Sequence, residues 1–209
     1  MGELKLPKNN NYAGYQGQSV AHNFKMKNYC NKNAVKYVID DILRNRPIET
    51  ETYNLLGYGA WGVNYFLSVE DIIATLCYVQ KAYDIEHRRG RRIYHEVFWL
   101  TPEDLSSLGW NVELMWKFAS EVSCEFFYKN GFQVVFAIHY SLQGKYHIHF
   151  AVNTINFCTG MKFNSFEKDR HAREIICNEI LSKYFIKDKS DSRSVKPLYF
   201  GVYKGGAYE

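Results

Sequence analysis

The sequence predicts an α+β fold: a single domain with a central antiparallel sheet that carries a histidine hairpin, and helices packed on one face, leaving the other face for a ligand. Three observations carry that expectation. Residues 132–156, FQVVFAIHYSLQGKYHIHFAVNTIN, are two runs rich in Val, Ile, Phe and Tyr around Ser141, Leu142, Gln143 and Gly144, the composition of a β-hairpin that turns at Gln143 and Gly144. Residues 93–100 are apolar at both parities, as in an interior strand. Amphipathic stretches at helical spacing surround both segments, and no repeat or linker divides the chain.

The elements follow in order. Residues 1–24 are rich in Asn, Gly and Gln without periodicity and read as a flexible arm, with one domain over 25–209. From Lys32 to Arg44, apolar residues at 34, 35, 38, 39, 42 and 43 predict a helix, which Pro47 ends. Residues Asn54 to Asn64 hold three glycines between aromatics and read as a loop. Ser68 and Asp71 form a capping signature that opens a helix through Tyr83. The basic turn HRRGRR precedes the strand at Ile93. Thr101, Pro102 and Asp104 start a further helix, Gly109 breaks it, and another runs from Asn111 to Lys129 with Gly131 beyond its end. Phe166 to Phe185 is a last amphipathic helix, and LYFGVYKGG in the tail has the composition of a short closing strand.

Within the hairpin, side chains alternate, so His147 and His149 share a face, and a turn around residues 142–144 brings His139 opposite His147. Three imidazoles packed together need a shared partner, and a divalent cation is the commonest. Imidazole ligands accept Mn, Co, Ni, Zn or Fe, so the donor set does not select the metal.

Composition narrows the rest. A net charge of +4 is only mildly basic and does not by itself announce a nucleic-acid binder. Five cysteines without zinc-ribbon spacing read as reduced thiols, which with the lack of an apolar leader or an 18-residue apolar run points to a cytoplasmic protein with no membrane span. Aromatic content of 17% supplies rings that can stack on unpaired bases as well as fill a core. The four Arg of the basic turn, Arg88, Arg89, Arg91 and Arg92, suit phosphates, as does Lys36.

The pattern of His139 followed by YHIHFAVN resembles the paired-histidine "HUH" motif of single-strand DNA endonucleases, and more closely the third motif of the relaxase/mobilisation nuclease family of plasmids and integrative conjugative elements. YHEVFWLTPED resembles that family's second motif, NAVKYVIDD its tyrosine-bearing first motif, and NTINFCTGMKF the strand and turn after the histidines, so the likeness spans roughly residues 25–185. The resemblance implies a conjugative DNA relaxase that nicks one strand at an origin of transfer, with His139, His147 and His149 holding one divalent ion such as Mn or Mg. It implies Tyr37 as the nucleophile of a 5′-phosphotyrosyl link, with Tyr29 its local competitor. His95 is the candidate base for the phenol, whose ordinary pKa is about 10, and Glu96 a weaker one. Its partners would be single-stranded or hairpin DNA and accessory relaxosome proteins. A rolling-circle initiator, with Tyr184 as nucleophile after the histidines, is the alternative within the superfamily. A DNA-binding module without chemistry, or a three-histidine enzyme acting on small molecules, is the alternative outside it.

Overall fold

A computed structural model describes residues 3–5, 33–44, 53–83, 90–141, 145–163 and 176–185. Its strands are β1 (Glu3–Lys5), β2 (Tyr53–Trp61), β3 (Ile93–Trp99), β4 (Phe132–Ser141) and β5 (Tyr146–Asn156), joined in one antiparallel sheet of order β1-β3-β5-β4-β2. The helices are α1 (Ala34–Ile42), α2 (Val69–Ala82), α3 (Pro102–Ser107) and α4 (Val112–Val122), with α5 over residues 176–183. The α+β class and the central hairpin are as the sequence predicts. Residues 3–5 of the expected arm form β1; the rest of the arm, the hairpin turn at 142–144 and the tail beyond 185 lie outside the described residues.

The local signals read from the chain do open the helices. Ser68 Oγ accepts from the Asp71 N–H at 3.1 Å, and Thr101 and Asp104 form a reciprocal capping box. Asn111 Oδ1 accepts from the N–H groups of Glu113 and Leu114. Beyond α4 the chain tightens through a π turn, Ser123–Phe127, and a 3₁₀ turn, Tyr128–Asn130. Gly131 then stops it at φ 84°, a left-handed conformation in which an added Cβ would meet the Asn156 side chain.

Two of the expectations are corrected. The glycine-rich segment read as a loop from Asn54 to Asn64 is mostly strand β2, paired along β4 from Tyr53↔Ser141 to Trp61↔Val134 with a bulge between Leu55 and Gly57. Its glycines serve packing: a Cβ at Gly59 would stand 2.5 Å from the Phe136 ring and 3.1 Å from Trp116, whose Nε1–H donates to Tyr58 O at 2.9 Å. Second, helices cover both faces of the sheet. On one face Phe98, Phe136, Ile138, Ile148 and Phe150 pack with α3, α4 and α5. On the other, Val135, Ala137, Ala151 and Ile93 pack with Val35, Val38 and Ile42 of α1 and Ile72 and Leu76 of α2. The reason lies in β3 and β5, whose side chains of both parities are buried and therefore need two covers.

The second face also carries a buried amide chain. Asn153 donates to Leu76 O at 2.9 Å and to Gln133 Oε1 at 2.8 Å, and accepts from Gln80 Nε2 at 3.0 Å. Gln133 and Gln80 donate onward to the carbonyls of Gly62 and Arg92. These bonds fasten α2 to the sheet between buried side chains, where leaving one amide unpaired costs about 1–3 kcal/mol. Asn153→Leu removes the hub and takes the donor from Gln133 Oε1 and the Leu76 carbonyl, so its unfolding free energy in urea should drop by about 2–4 kcal/mol at unchanged m-value. A midpoint within error of wild type would show that the chain of amides does not hold α2.

Candidate metal centre

The strand register builds the site. His139 pairs directly with His147, Ala137 with His149, and Ala151 with His95, so alternation sets all four imidazoles on the face covered by α1 and α2. All four are buried. Ring centroids lie 5.3 Å apart for His139 and His147, 4.5 Å for His139 and His149, and 4.7 Å for His147 and His149. One nitrogen from each of these three lies within 4.8 Å of the others. Trp99 covers His147 at 4.4 Å between centroids, closing the cluster on the β3 side.

Hydrogen bonding decides which nitrogens face inward. His139 Nε2 lies 2.7 Å from the Ile42 carbonyl, an acceptor only, so Nε2 carries the proton and Nδ1 the lone pair. Arg44 Nη2, a donor only, meets that Nδ1 at 2.9 Å, which agrees with the assignment. His149 Nδ1 lies 2.7 Å from His95 Nε2, while its Nε2 is buried with no hydrogen-bond partner among the described residues. An unpartnered nitrogen on a ring 4.5 and 4.7 Å from two other imidazoles suits a metal ligand, and the bonds to Ile42 O and His95 are the kind of outer contacts that orient such ligands.

The donor set therefore fits a divalent ion. His139, His147 and His149 would hold such an ion, each offering one nitrogen within 4.8 Å of the others. Three protein ligands leave positions open for substrate, as catalytic sites do. The C-terminal end of α1, with its partial negative charge, faces the cluster and favours a cation there. Burial, and after it the Arg44 guanidinium, holds His139 well below its ordinary pKa and His147 at about 3. Burial also lowers His149 well below the ordinary value and His95 to about 4. Each ring is neutral near pH 7 and already in the form that binds metal.

Other residues named from the sequence fall in different places. Tyr37 is 39% exposed on the outer side of α1, five residues before Ile42, and makes none of the cluster's hydrogen bonds or ring contacts. Lys36 pairs with Asp40 at 2.9 Å. Glu96 alternates to the opposite face from the histidines, which leaves His95 as the β3 residue beside them. Tyr184 also belongs to the opposite face, where its hydroxyl donates to Glu121 at 2.6 Å and its pKa is pushed up to about 12 by burial and that bond. Arg91 stacks its guanidinium 4.8 Å over Tyr94. Arg91 and Arg92 precede β3, five residues or more before Val97, the partner of His149, or about 17 Å along the strand. Tyr29, Arg88 and Arg89 lie outside the described residues.

Sequence reasoning missed Arg44 and the Ile42 carbonyl. An arginine at a helix end reads as a solvated charge, and a backbone carbonyl has no signature. Both reach the site only because α1 crosses over β4.

The lowered histidine pKa values fix the sign of a pH effect. Unfolded imidazoles take up protons near pH 6.5 and the folded ones resist until about pH 4 for His95 and about 3 for His147, so this stability is full above 6.5 and lost as pH falls below it. Metal-free protein should lose at most about 1.4 kcal/mol per pH unit for each histidine. Urea midpoints at pH 7 and pH 5 test this: equal midpoints would mean the rings are solvated.

Among the described residues no helix is long and apolar enough to cross a membrane. No curated protein and no solved structure matches the chain. A family model does: Relaxase, MobA/VirD2-like nuclease domain, over residues 37–186. That span opens on Tyr37 and encloses β3, β4 and β5 with all four buried histidines. The chain thus belongs to the relaxase family, and its histidine cluster lies inside a MobA/VirD2-like nuclease domain.

Proposed function

We propose that the chain is a conjugative DNA relaxase that nicks one strand at an origin of transfer by transesterification. One observation carries this reading: within a span matched by the relaxase nuclease family, His139, His147 and His149 converge on one buried face, each offering a nitrogen within 4.8 Å of the others, as one divalent ion would need. When bound there, such an ion supplies a Lewis acid to a non-bridging phosphate oxygen.

The chain's own residues do the rest. Tyr37, exposed on α1, is the proposed nucleophile: its phenolate oxygen bonds to phosphorus, the bond to the 3′-oxygen breaks, and that oxygen leaves as a hydroxyl. A 5′-phosphotyrosyl link keeps the bond energy, so the strand can be rejoined without ATP. His95 acts here as a positioning residue, holding the His149 ring through Nδ1 so that Nε2 faces inward. The rolling-circle alternative is disfavoured because Tyr184 is engaged with Glu121 across the sheet from the histidines. Arg88, Arg89, Arg91 and Arg92 are the proposed contacts to the DNA backbone away from the scissile bond, with Lys36 nearer to it. Accessory relaxosome proteins are the further partners this reading requires, and a cytoplasmic location goes with it.

Tyr37→Phe removes one hydroxyl from an exposed ring, so stability and DNA affinity should stay near wild type while the denaturation-resistant protein–oligonucleotide adduct disappears. Mass spectrometry of the wild-type adduct names the tyrosine directly, and an adduct on any other residue sinks the assignment. His147→Ala and His149→Ala should each abolish nicking in Mn- or Mg-containing buffer; undiminished cleavage by either would remove the metal from the reaction.

Binding should favour single-stranded DNA, or a hairpin with a single-stranded flank, and weaken steeply with salt as phosphate contacts release counterions. Fluorescence anisotropy over a salt series checks this, and equal affinity for blunt duplex and single strand counts against it.

A further inference from the structure

Arg44 stands where only one positive group can stand. His139 has a single lone pair, on Nδ1, because Nε2–H is committed to the Ile42 carbonyl. The Arg44 guanidinium takes that lone pair at 2.9 Å. A metal bound to His139 must use the same one. The two occupants are mutually exclusive, and since arginine stays protonated in proteins, it can leave only by moving.

The backbone shows how firmly the side chain is aimed. Arg44 follows the last residue of α1's C-terminal turn at φ 57°, a left-handed conformation that glycine or asparagine usually fills. Its N–H and Nη1 both turn back to Asp41 O, at 3.2 and 3.3 Å. A β-carbon in this conformation is unfavourable, and what it obtains here is a guanidinium directed at the histidines.

We propose that Arg44 is the internal counterpart of the metal: it caps His139 until a divalent ion displaces it, and then shares the substrate phosphate with that ion. The second half rests on the relaxase reading above; the first concerns the protein and the ion alone. A displaced guanidinium beside a bound cation is held stably when an anion lies between them. A phosphodiester supplies that charge and two oxygens matched to the guanidinium fork. Metal and DNA should therefore load cooperatively, each tightening the other by the same factor.

The test measures Mn(II) affinity by calorimetry on metal-free protein, with and without a mixed-sequence single-stranded oligonucleotide. Arg44→Gln should bind Mn(II) about tenfold or more tightly than wild type when no DNA is present, since a charge-assisted hydrogen bond no longer competes. Equal or weaker binding by a folded Arg44→Gln overturns the first half. In the wild type, Zn(II) should shift the Arg44 side-chain N–H resonances, and resonances that stay put overturn it without any variant. The oligonucleotide should raise Mn(II) affinity in wild type and do so much less in Arg44→Gln; equal enhancement in both overturns the second half. Absence of nicking with the Mn(II) results intact would fell the relaxase reading and leave Arg44's competition standing.

Discussion

Everything at the site depends on the register of one strand pair. His139 faces His147 across β4 and β5, and a slip of one residue would carry the imidazoles of one strand to the opposite face, among the phenylalanines that pack with α4. The apolar residues of opposite parity enforce the register. Phe136 pairs with Phe150 and Ile138 with Ile148, and neither pair can be turned toward the histidines without burying polar rings in their place. The histidine cluster is thus held by hydrophobic packing on the side of the sheet that takes no part in it.

The two faces divide the labour. One is a closed aromatic core in which Phe98, Phe118, Phe127, Phe136 and Phe150 are fully buried, each contributing roughly 1.5–3 kcal/mol. The other is unusually polar for a buried surface, with four histidines at one end and the amides of Gln80, Gln133 and Asn153 at the other. Buried polar groups of this kind are tolerated when hydrogen-bonded, and the amides satisfy one another. Among the described residues His149 Nε2 has no hydrogen-bond partner. That asymmetry marks where a ligand belongs.

Much of this was legible in the chain. Alternation placed His139, His147 and His149 on one face, and Ser68, Thr101 and Asp104 announced their helices, because these signals act over two to four residues and survive without tertiary context. What failed was longer in range. The glycines of β2 looked like a loop since the Trp116 and Phe136 rings that require them lie far away in sequence. The second helical cover has its signal in β3, an apolar strand at both parities, but the polar histidines on that face mask it. The 2.7 Å approach of His95 to His149 depends on the pairing of β3 with β5, which no local signal announces.

Residue Tyr37 and the Ile42 carbonyl share one nine-residue helix. A helix transmits displacement along its length almost without loss, so the phenol and the bond that sets the His139 ring form a single lever. Sliding or tilting α1 on the bed of Val135, Ala137 and Ala151 moves both together. The rise between the proposed nucleophile and the Ile42 carbonyl is therefore set by helical pitch, about 7.5 Å over five residues.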